Sequence, residues 1–93
     1  MTPIWHLYVL QCADGTLYAG VTTDLQRRVE EHNSGTRAAR YTRARRPVSL
    51  LRSWALPDRS AATKAEAAFK RLSRSHKLDI IAGHRPLPCG APL

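Results

Sequence analysis

The 93 residues of the chain are enough for a single domain with one modest core. Apolar residues make up 43% of it and charged residues 24%, a mixture that excludes an intrinsically disordered protein. The formal net charge of +8 favours nucleic acid as partner, because a basic surface releases counterions when it binds phosphates, but it does not separate an enzyme from a binding protein.

Two short strands joined by a tight turn are the first predicted elements. From Trp5 to Ala13 apolar residues occur on both sides of a two-residue alternation, which is typical of a mostly buried strand. Asp14-Gly15 follows, a dipeptide favoured in two-residue type I′ hairpin turns. Residues 17–22 then form the second strand.

A helix is predicted after the hairpin. Thr23 or Asp24 supplies a capping side chain, and the helix runs to about Asn33. Gly35 then stands at the position where a left-handed residue commonly ends a helix.

A strongly basic segment comes next. Residues 37–46 contain five arginines without apolar periodicity, and Pro47 follows them, so a loop is predicted. Two interpretations remain open for this loop, a solvated run of charge or a groove that follows a nucleic-acid backbone and stacks a base on its one aromatic side chain. The residues of that groove would be Arg37, Arg40, Tyr41, Arg43, Arg45 and Arg46.

The rest of the chain predicts one strand and two helices. The strand covers residues 48–56, and either Asp58 or Ser60 caps the following helix. The apolar stripe of that helix consists of Ala62, Ala65, Phe69 and Leu72. A shorter helix starts at Ser73 and ends before Gly83.

This order of elements predicts an α+β fold in which helices cover one face of a sheet and leave the other face for a substrate. We expect one domain over residues 1–84 and a flexible C-terminal tail over residues 85–93, where prolines and glycine accumulate. No long apolar run and no signal-peptide pattern occur, so we expect a cytoplasmic protein that does not enter a membrane. Cys12 and Cys89 lack CxxC spacing and are expected to be incidental thiols.

Arg28 and His32 form a candidate site on the first helix. They are four residues apart and therefore point the same way, on the side of Leu25 and Val29 that faces the hairpin margin. A tyrosine hydroxyl from the hairpin can meet them there. The three groups together suit one phosphate.

Tyr8 and Tyr18 stand ten residues apart in the triplets His6-Leu7-Tyr8 and Tyr18-Ala19-Gly20. With Arg28 and His32, Tyr41-Thr42, and Glu66 on the second long helix, this ordered set resembles the GIY-YIG nuclease superfamily over about residues 5 to 82. The chain is similar to the small stand-alone bacterial members. The resemblance implies a three-stranded antiparallel sheet flanked by helices.

The resemblance also implies a metal-dependent DNA endonuclease that uses no organic cofactor. Glu66 would bind one divalent cation, Mg²⁺ or Mn²⁺, which needs few protein ligands. Arg28 would hold the scissile phosphate, and His32 would orient a tyrosine or take its proton. Either Tyr8 or Tyr18 could serve as the base.

Each of these residues also has a simpler interpretation. The tyrosines could be packed strand aromatics, Glu66 could pair with Lys70, and Arg28 could pair with Glu31. The alternative function is a non-catalytic basic nucleic-acid-binding protein on the same scaffold, and a third is an RNA-associated protein of translation. Because so small a domain contacts few base pairs, single-stranded or locally unpaired DNA is the expected substrate.

Overall fold

The computed structural model describes residues 3–35, 37 and 39–88. Within these residues three strands and four helices follow one another in the chain: β1 (Trp5–Gln11), β2 (Leu17–Thr22), α1 (Leu25–Ser34), α2 (Arg40–Arg43), β3 (Ser49–Leu56), α3 (Arg59–Lys70) and α4 (Arg74–Ala82). None of the helices in the described part of the chain is long and apolar enough to cross a membrane. The predicted α+β class is confirmed.

The three strands form one antiparallel sheet in the order β2-β1-β3. The central strand is β1, whose residues 7–10 are all buried. A register shift in the β1–β3 pairing falls between Val9 and Leu10, where β3 has one extra residue. Burial of both faces of β1 explains why its sequence carries apolar residues at consecutive positions.

Helices cover both faces of β1, so the expectation of one open sheet face is wrong. On one face Leu7 and Val9 pack with Phe69 of α3 in the larger core cluster. On the other face Tyr8 and Leu10 form a second cluster against α1. The two-residue alternation sends apolar side chains to both faces of β1, and each face is stable only when other side chains bury it.

The hairpin turn also differs from the predicted two-residue type I′ turn. Three residues, Ala13-Asp14-Gly15, lie between the paired ends, and the Gly15 amide donates to the Cys12 carbonyl oxygen at 2.9 Å. Gly15 has φ +84°, so the loop is a β-turn followed by a left-handed residue. Asp14 fastens it by accepting hydrogen bonds from the backbone amide and hydroxyl of Thr16.

Helix α1 begins as predicted and ends differently. The Asp24 carboxylate caps it by accepting from the Arg27 amide at 3.1 Å. Gly35 has φ −82° and is not the left-handed residue expected at this end. The space there is tight and favours glycine, because a Cβ atom would lie 3.0 Å from the Glu31 backbone.

The C-terminal helices agree with the sequence. Asp58 caps α3, Ser73 caps α4, and Gly83 ends α4 with φ +87°. Leu87 is only 7% exposed and belongs to the larger core cluster, so the packed part of the chain extends at least that far. The rest of the expected tail, residues 89–93 with Cys89, lies outside the described residues.

Candidate active site

The five predicted catalytic side chains converge at the outer edge of β2. Tyr8 and Tyr18 come from the two hairpin strands, and α1 brings Arg28 and His32 to the same edge. Glu66 arrives on α3 from the opposite sheet face. Tyr18, Arg28 and Glu66 all act electrostatically on the Tyr8 hydroxyl, and Arg28 and Glu66 act on that of Tyr18. Residues spread over 59 positions of sequence therefore share one site.

Gly20 makes room for the Tyr8 side chain. The two residues are directly paired across β1 and β2. A Cβ atom at position 20 would stand 2.5 Å from the Tyr8 hydroxyl oxygen and 2.7 Å from its ring carbon Cζ. Only glycine therefore lets the tyrosine ring cross the β2 backbone and place its hydroxyl at the sheet edge.

A buried chain of hydrogen bonds fixes the His32 tautomer. The Thr42 hydroxyl donates its single hydrogen to the Ala39 carbonyl oxygen at 3.0 Å, so its oxygen must accept from Nδ1–H of His32 at 2.7 Å. Nε2 of the neutral ring is then an acceptor, and the Tyr8 hydroxyl donates to it at 2.8 Å. His32 is thus positioned to receive the Tyr8 proton.

Burial sets the protonation states of this pair. His32 is fully buried, and desolvation together with the Arg28 charge lowers its pKa to about 4. Desolvation raises the pKa of Tyr8 to about 12, against the opposing effect of Arg28. Tyr18 is less buried, and its pKa is raised mainly by desolvation. Near pH 7 the imidazole is neutral and both phenols are protonated in the free protein.

The geometry separates the two tyrosines, which sequence reasoning left equivalent. Tyr8 is hydrogen-bonded to the imidazole, whereas Tyr18 meets the His32 ring edge to face with 5.2 Å between centroids. Tyr8 is 1% exposed, and Tyr18 is partly exposed at the strand edge. Tyr8 therefore has a proton-accepting partner, and Tyr18 occupies the more exposed position.

Arg28 is held beside the tyrosines by two contacts. Its Nη1 donates to the Arg37 carbonyl oxygen at 2.9 Å and to the Glu31 carboxylate at 3.4 Å. The predicted Arg28–Glu31 pair is present, but it is long and leaves other guanidinium hydrogens for an anion. Arg28 can therefore contribute both a fork of donors and a fixed positive charge.

Glu66 is the carboxylate that could hold a metal ion. Its side chain is 22% exposed and pairs with Lys70 at 3.7 Å, so the simpler interpretation of an i,i+4 ion pair also describes a real contact. Within the described residues no three His, Cys, Asp or Glu side chains gather into a metal-binding group. A single accessible carboxylate fits Mg²⁺ or Mn²⁺, which keep waters and take further oxygens from a bound phosphate.

The basic segment contains the short helix α2 where a loop was predicted, and its arginines have different surroundings. Arg46 donates to the carbonyl oxygens of Glu31, His32 and Gly35 and thereby caps the end of α1. Arg45 pairs with Asp14 at 3.0 Å and lies over the Tyr41 ring at 3.8 Å. The side chains of Arg37, Arg40 and Arg43 are exposed. Exposed guanidinium groups are the ones best placed for a phosphate backbone.

Thr42 and Lys77 also lie at the site, and their sequence positions predict no role for them. Thr42 is fully buried and orients His32 through a contact ten residues away in sequence, which no spacing rule reveals. Lys77 lies on α4 and lines a pocket that also includes Tyr18 and Lys70. Only the tertiary packing of α2, α3 and α4 brings these residues to the site.

Comparison with known proteins places this chain in a family. The GIY-YIG catalytic domain matches residues 4–79. A UPF0213 protein of Desulfotalea psychrophila is 52% identical over 79 residues, covering 85% of this chain and 72% of that protein. A UPF0213 protein of Streptococcus agalactiae is 51% identical over 80 residues, covering 86% of this chain and 90% of that protein. These names state no activity.

Two solved structures are similar as well. A UPF0213 protein from Bacillus halodurans, solved by NMR, is 39% identical with a TM-score of 0.56, covering 94% of this chain and 87% of that chain. A protein from E. faecalis is 44% identical with a TM-score of 0.58, covering 87% and 86%. The chain therefore belongs to the GIY-YIG family and to its UPF0213 members.

Proposed function

We propose that this protein is a metal-dependent endonuclease that hydrolyses phosphodiester bonds in DNA. The observation that carries the proposal is the convergence of Tyr8, Tyr18, Arg28, His32 and Glu66 at the β2 edge. Hydrolysis of a phosphodiester needs a proton acceptor for the attacking water, positive charge beside the phosphate, and stabilisation of the leaving oxygen. These side chains meet each of the three needs, and a bound metal ion would add further positive charge.

The Tyr8–His32 pair is the proposed proton acceptor. Tyr8 takes a proton from the attacking water as its own hydroxyl proton moves to Nε2 of His32. The water oxygen bonds to phosphorus while the bond from phosphorus to the leaving sugar oxygen breaks, and that oxygen takes up a proton from solvent. The pair ends with one extra proton on the imidazole, which it then returns to solvent. The Thr42 oxygen accepts from Nδ1–H throughout and keeps the ring in the required orientation. A buried phenol is a poor base alone, and His32, whose pKa is about 4 in the free protein, becomes a better acceptor when a bound phosphate places negative charge beside the pair.

Arg28 is the proposed phosphate ligand. Its guanidinium lies close enough to lower the Tyr8 pKa, so a phosphate bound to it would lie beside the Tyr8 hydroxyl. Glu66 would hold Mg²⁺ or Mn²⁺, which supplies Lewis-acid charge to the phosphate and the leaving oxygen. Tyr18, the more open phenol, would donate a hydrogen bond to a phosphate oxygen.

Single-stranded or locally unpaired DNA is the proposed substrate. The exposed arginines on and before α2, Arg37, Arg40 and Arg43, carry charge along one side of the site. The described residues form one small domain without a second DNA-binding surface, so recognition of a duplex sequence would rest on few contacts. Cys12, a free buried thiol, fits a protein that works in the reducing cytoplasm.

A digestion panel tests this function. The protein would be incubated with end-labelled single-stranded, duplex and branched DNA and with RNA of the same sequence, each with Mg²⁺, Mn²⁺ or a chelator. We expect cleavage of DNA only with metal, and faster cleavage of the single strand than of the same strand annealed to its complement. Binding without cleavage under every metal condition would mean that the protein binds nucleic acid but is not a nuclease. Equal rates on both DNA forms would remove the proposed preference.

A further inference from the structure

A pocket of about 270 Å³ lies beside the proposed active site. Strand β2 forms one side of it, and residues of α2, α3 and α4 line the rest. Its apolar lining includes Phe69, which is 1% exposed, and Ala19, which is 6% exposed. Tyr18 and Tyr41 line it as well. A volume near the low end for ligand sites suits one small planar group and excludes a folded segment of another protein.

The aromatic and cationic groups of this pocket match a nucleotide. The rings of Tyr18 and Tyr41 are stacked, inclined by only 25° with centroids 6.1 Å apart, and both line the pocket. Nζ of Lys70 lies 5.9 Å from the ring centroid of Tyr18. Nζ of Lys77 lies 5.8 Å from the ring centroid of Phe69. The described lining contains no carboxylate. Aromatic surface beside two ammonium groups binds a base together with its phosphate.

The pocket is continuous with the proposed catalytic residues. Tyr18 belongs to both, and Lys70 reaches the Glu66 carboxylate at 3.7 Å. A nucleotide in the pocket would therefore be next to the phosphate bound at Arg28 and Glu66.

We infer that this pocket binds one unstacked base of the substrate strand, with the phosphate of the same nucleotide held by Lys70 and Lys77. The base packs against Tyr18 and against the face of Tyr41 that Arg45 leaves open, since the Arg45 guanidinium lies 3.8 Å over the other face. This inference rests on the proposed function only where it places the nucleotide next to the cleaved bond. A base stacked within a duplex is unavailable to the pocket, so the pocket gives a structural reason for a preference for unpaired DNA.

Binding in the absence of divalent metal tests the inference separately from cleavage. A fluorescent single-stranded oligonucleotide would be titrated with protein in a chelator, and the titration repeated with one abasic position moved stepwise along the strand. Loss of one stacked base weakens binding by roughly tenfold or more. We expect this loss at one position, and we expect Tyr41→Leu to lower the affinity for the intact strand and to abolish the effect of that abasic position.

Lys77 gives the matched charge test. It lies outside the proposed catalytic set, and Lys64 on the exposed side of α3 is its control. Lys77→Gln should reduce the slope of log Kd against log salt by about 0.7, the value of one phosphate contact on a single strand, and Lys64→Gln should leave it unchanged. An abasic profile that is flat, or equal slopes for the two lysine variants, would overturn the inference. If the profile shows one sensitive position but no DNA is ever cut with metal, the pocket stands and the nuclease function fails.

Discussion

At the scale of single residues, function depends on one glycine and one histidine as much as on the reacting groups. Gly20 matters because any side chain at this position would collide with the Tyr8 ring. His32 matters because Thr42 fixes its tautomer. The paired tyrosines, Arg28 and Glu66 could be expected at one site because their ordered set resembles the GIY-YIG superfamily. The Tyr8–His32 contact could not be predicted, since two tyrosines on one hairpin are equivalent until the twist of the sheet and the placement of α1 decide which hydroxyl meets the ring.

Gly20→Ala tests the close approach of Tyr8 to β2. The added methyl group would stand 2.5 Å from the Tyr8 hydroxyl oxygen, so the tyrosine side chain must shift, and we expect its hydrogen bond to His32 to be disturbed. We expect a loss of about 1 to 3 kcal/mol in the free energy of unfolding, measured by urea denaturation, with loss of DNA cleavage. In a Tyr8→Leu background the same change should cost much less. An equal cost in both backgrounds would show that the methyl group meets something other than Tyr8.

The buried neutral His32 predicts how stability depends on pH. The unfolded side chain binds a proton near pH 6.5 and the folded one only near pH 4, so acid favours the unfolded chain between these values. The free energy of unfolding should fall by about 3 kcal/mol from pH 7 to pH 4 through His32 alone. Above pH 6.5 this contribution is constant.

The measurement compares urea denaturation of the wild-type protein with that of His32→Gln at both pH values. Glutamine keeps a polar side chain but does not titrate, so the variant should lose less stability in acid than the wild-type protein. Parallel losses in the two proteins would mean that His32 is already protonated, or readily protonated, in the folded state.

At the scale of elements, the sequence predicts the strands and long helices well because their signals are local. Capping by Asp24, Asp58 and Ser73 and the left-handed Gly83 are all read from a few neighbouring residues. The hairpin loop and α2 were less predictable. Asp14-Gly15 is compatible with more than one turn, and in the basic segment long-range contacts decide the conformation, including the bonds of Arg46 to the end of α1.

The two arginines 43 and 46 should behave differently when replaced. Arg46→Ala removes charged hydrogen bonds to three carbonyl oxygens at the end of α1 and should destabilise the protein by about 2 kcal/mol or more. Arg43 is exposed, and Arg43→Ala should change stability by less than about 0.5 kcal/mol. Thermal and urea denaturation of the pair measure this. Similar losses for both variants would contradict the structural role of Arg46.

At the scale of the whole molecule, a net charge of +8 on a small domain gives affinity for polyanions before any specific contact forms. Composition predicts this property but not its distribution. The tertiary structure assigns Arg46 to the fold and leaves Arg40 and Arg43 exposed on α2 near the site. Sequence alone could not make that division, because the arginines of the segment look alike.

Replacing both exposed arginines of α2 tests where DNA lies. Arg40→Gln with Arg43→Gln should reduce the slope of log Kd against log salt by up to about 1.4 on a single strand, which corresponds to two phosphate contacts. The control replaces Arg59 and Lys64 at the start of α3 and carries the same change in net charge. If the control variant loses as much slope as the α2 variant, binding reflects overall charge and not a path across α2.

Replacing Glu66, the proposed metal-binding group, tests the proposed nuclease function most directly. Single-turnover cleavage of one labelled DNA strand in Mg²⁺ would be measured for the wild-type protein, for Glu66→Gln and for Glu30→Gln, a carboxylate on the exposed side of α1. We expect Glu66→Gln to slow cleavage by about a hundredfold or more while metal-free DNA binding is kept, and Glu30→Gln to cleave at the wild-type rate. Wild-type cleavage by Glu66→Gln would contradict the proposed site.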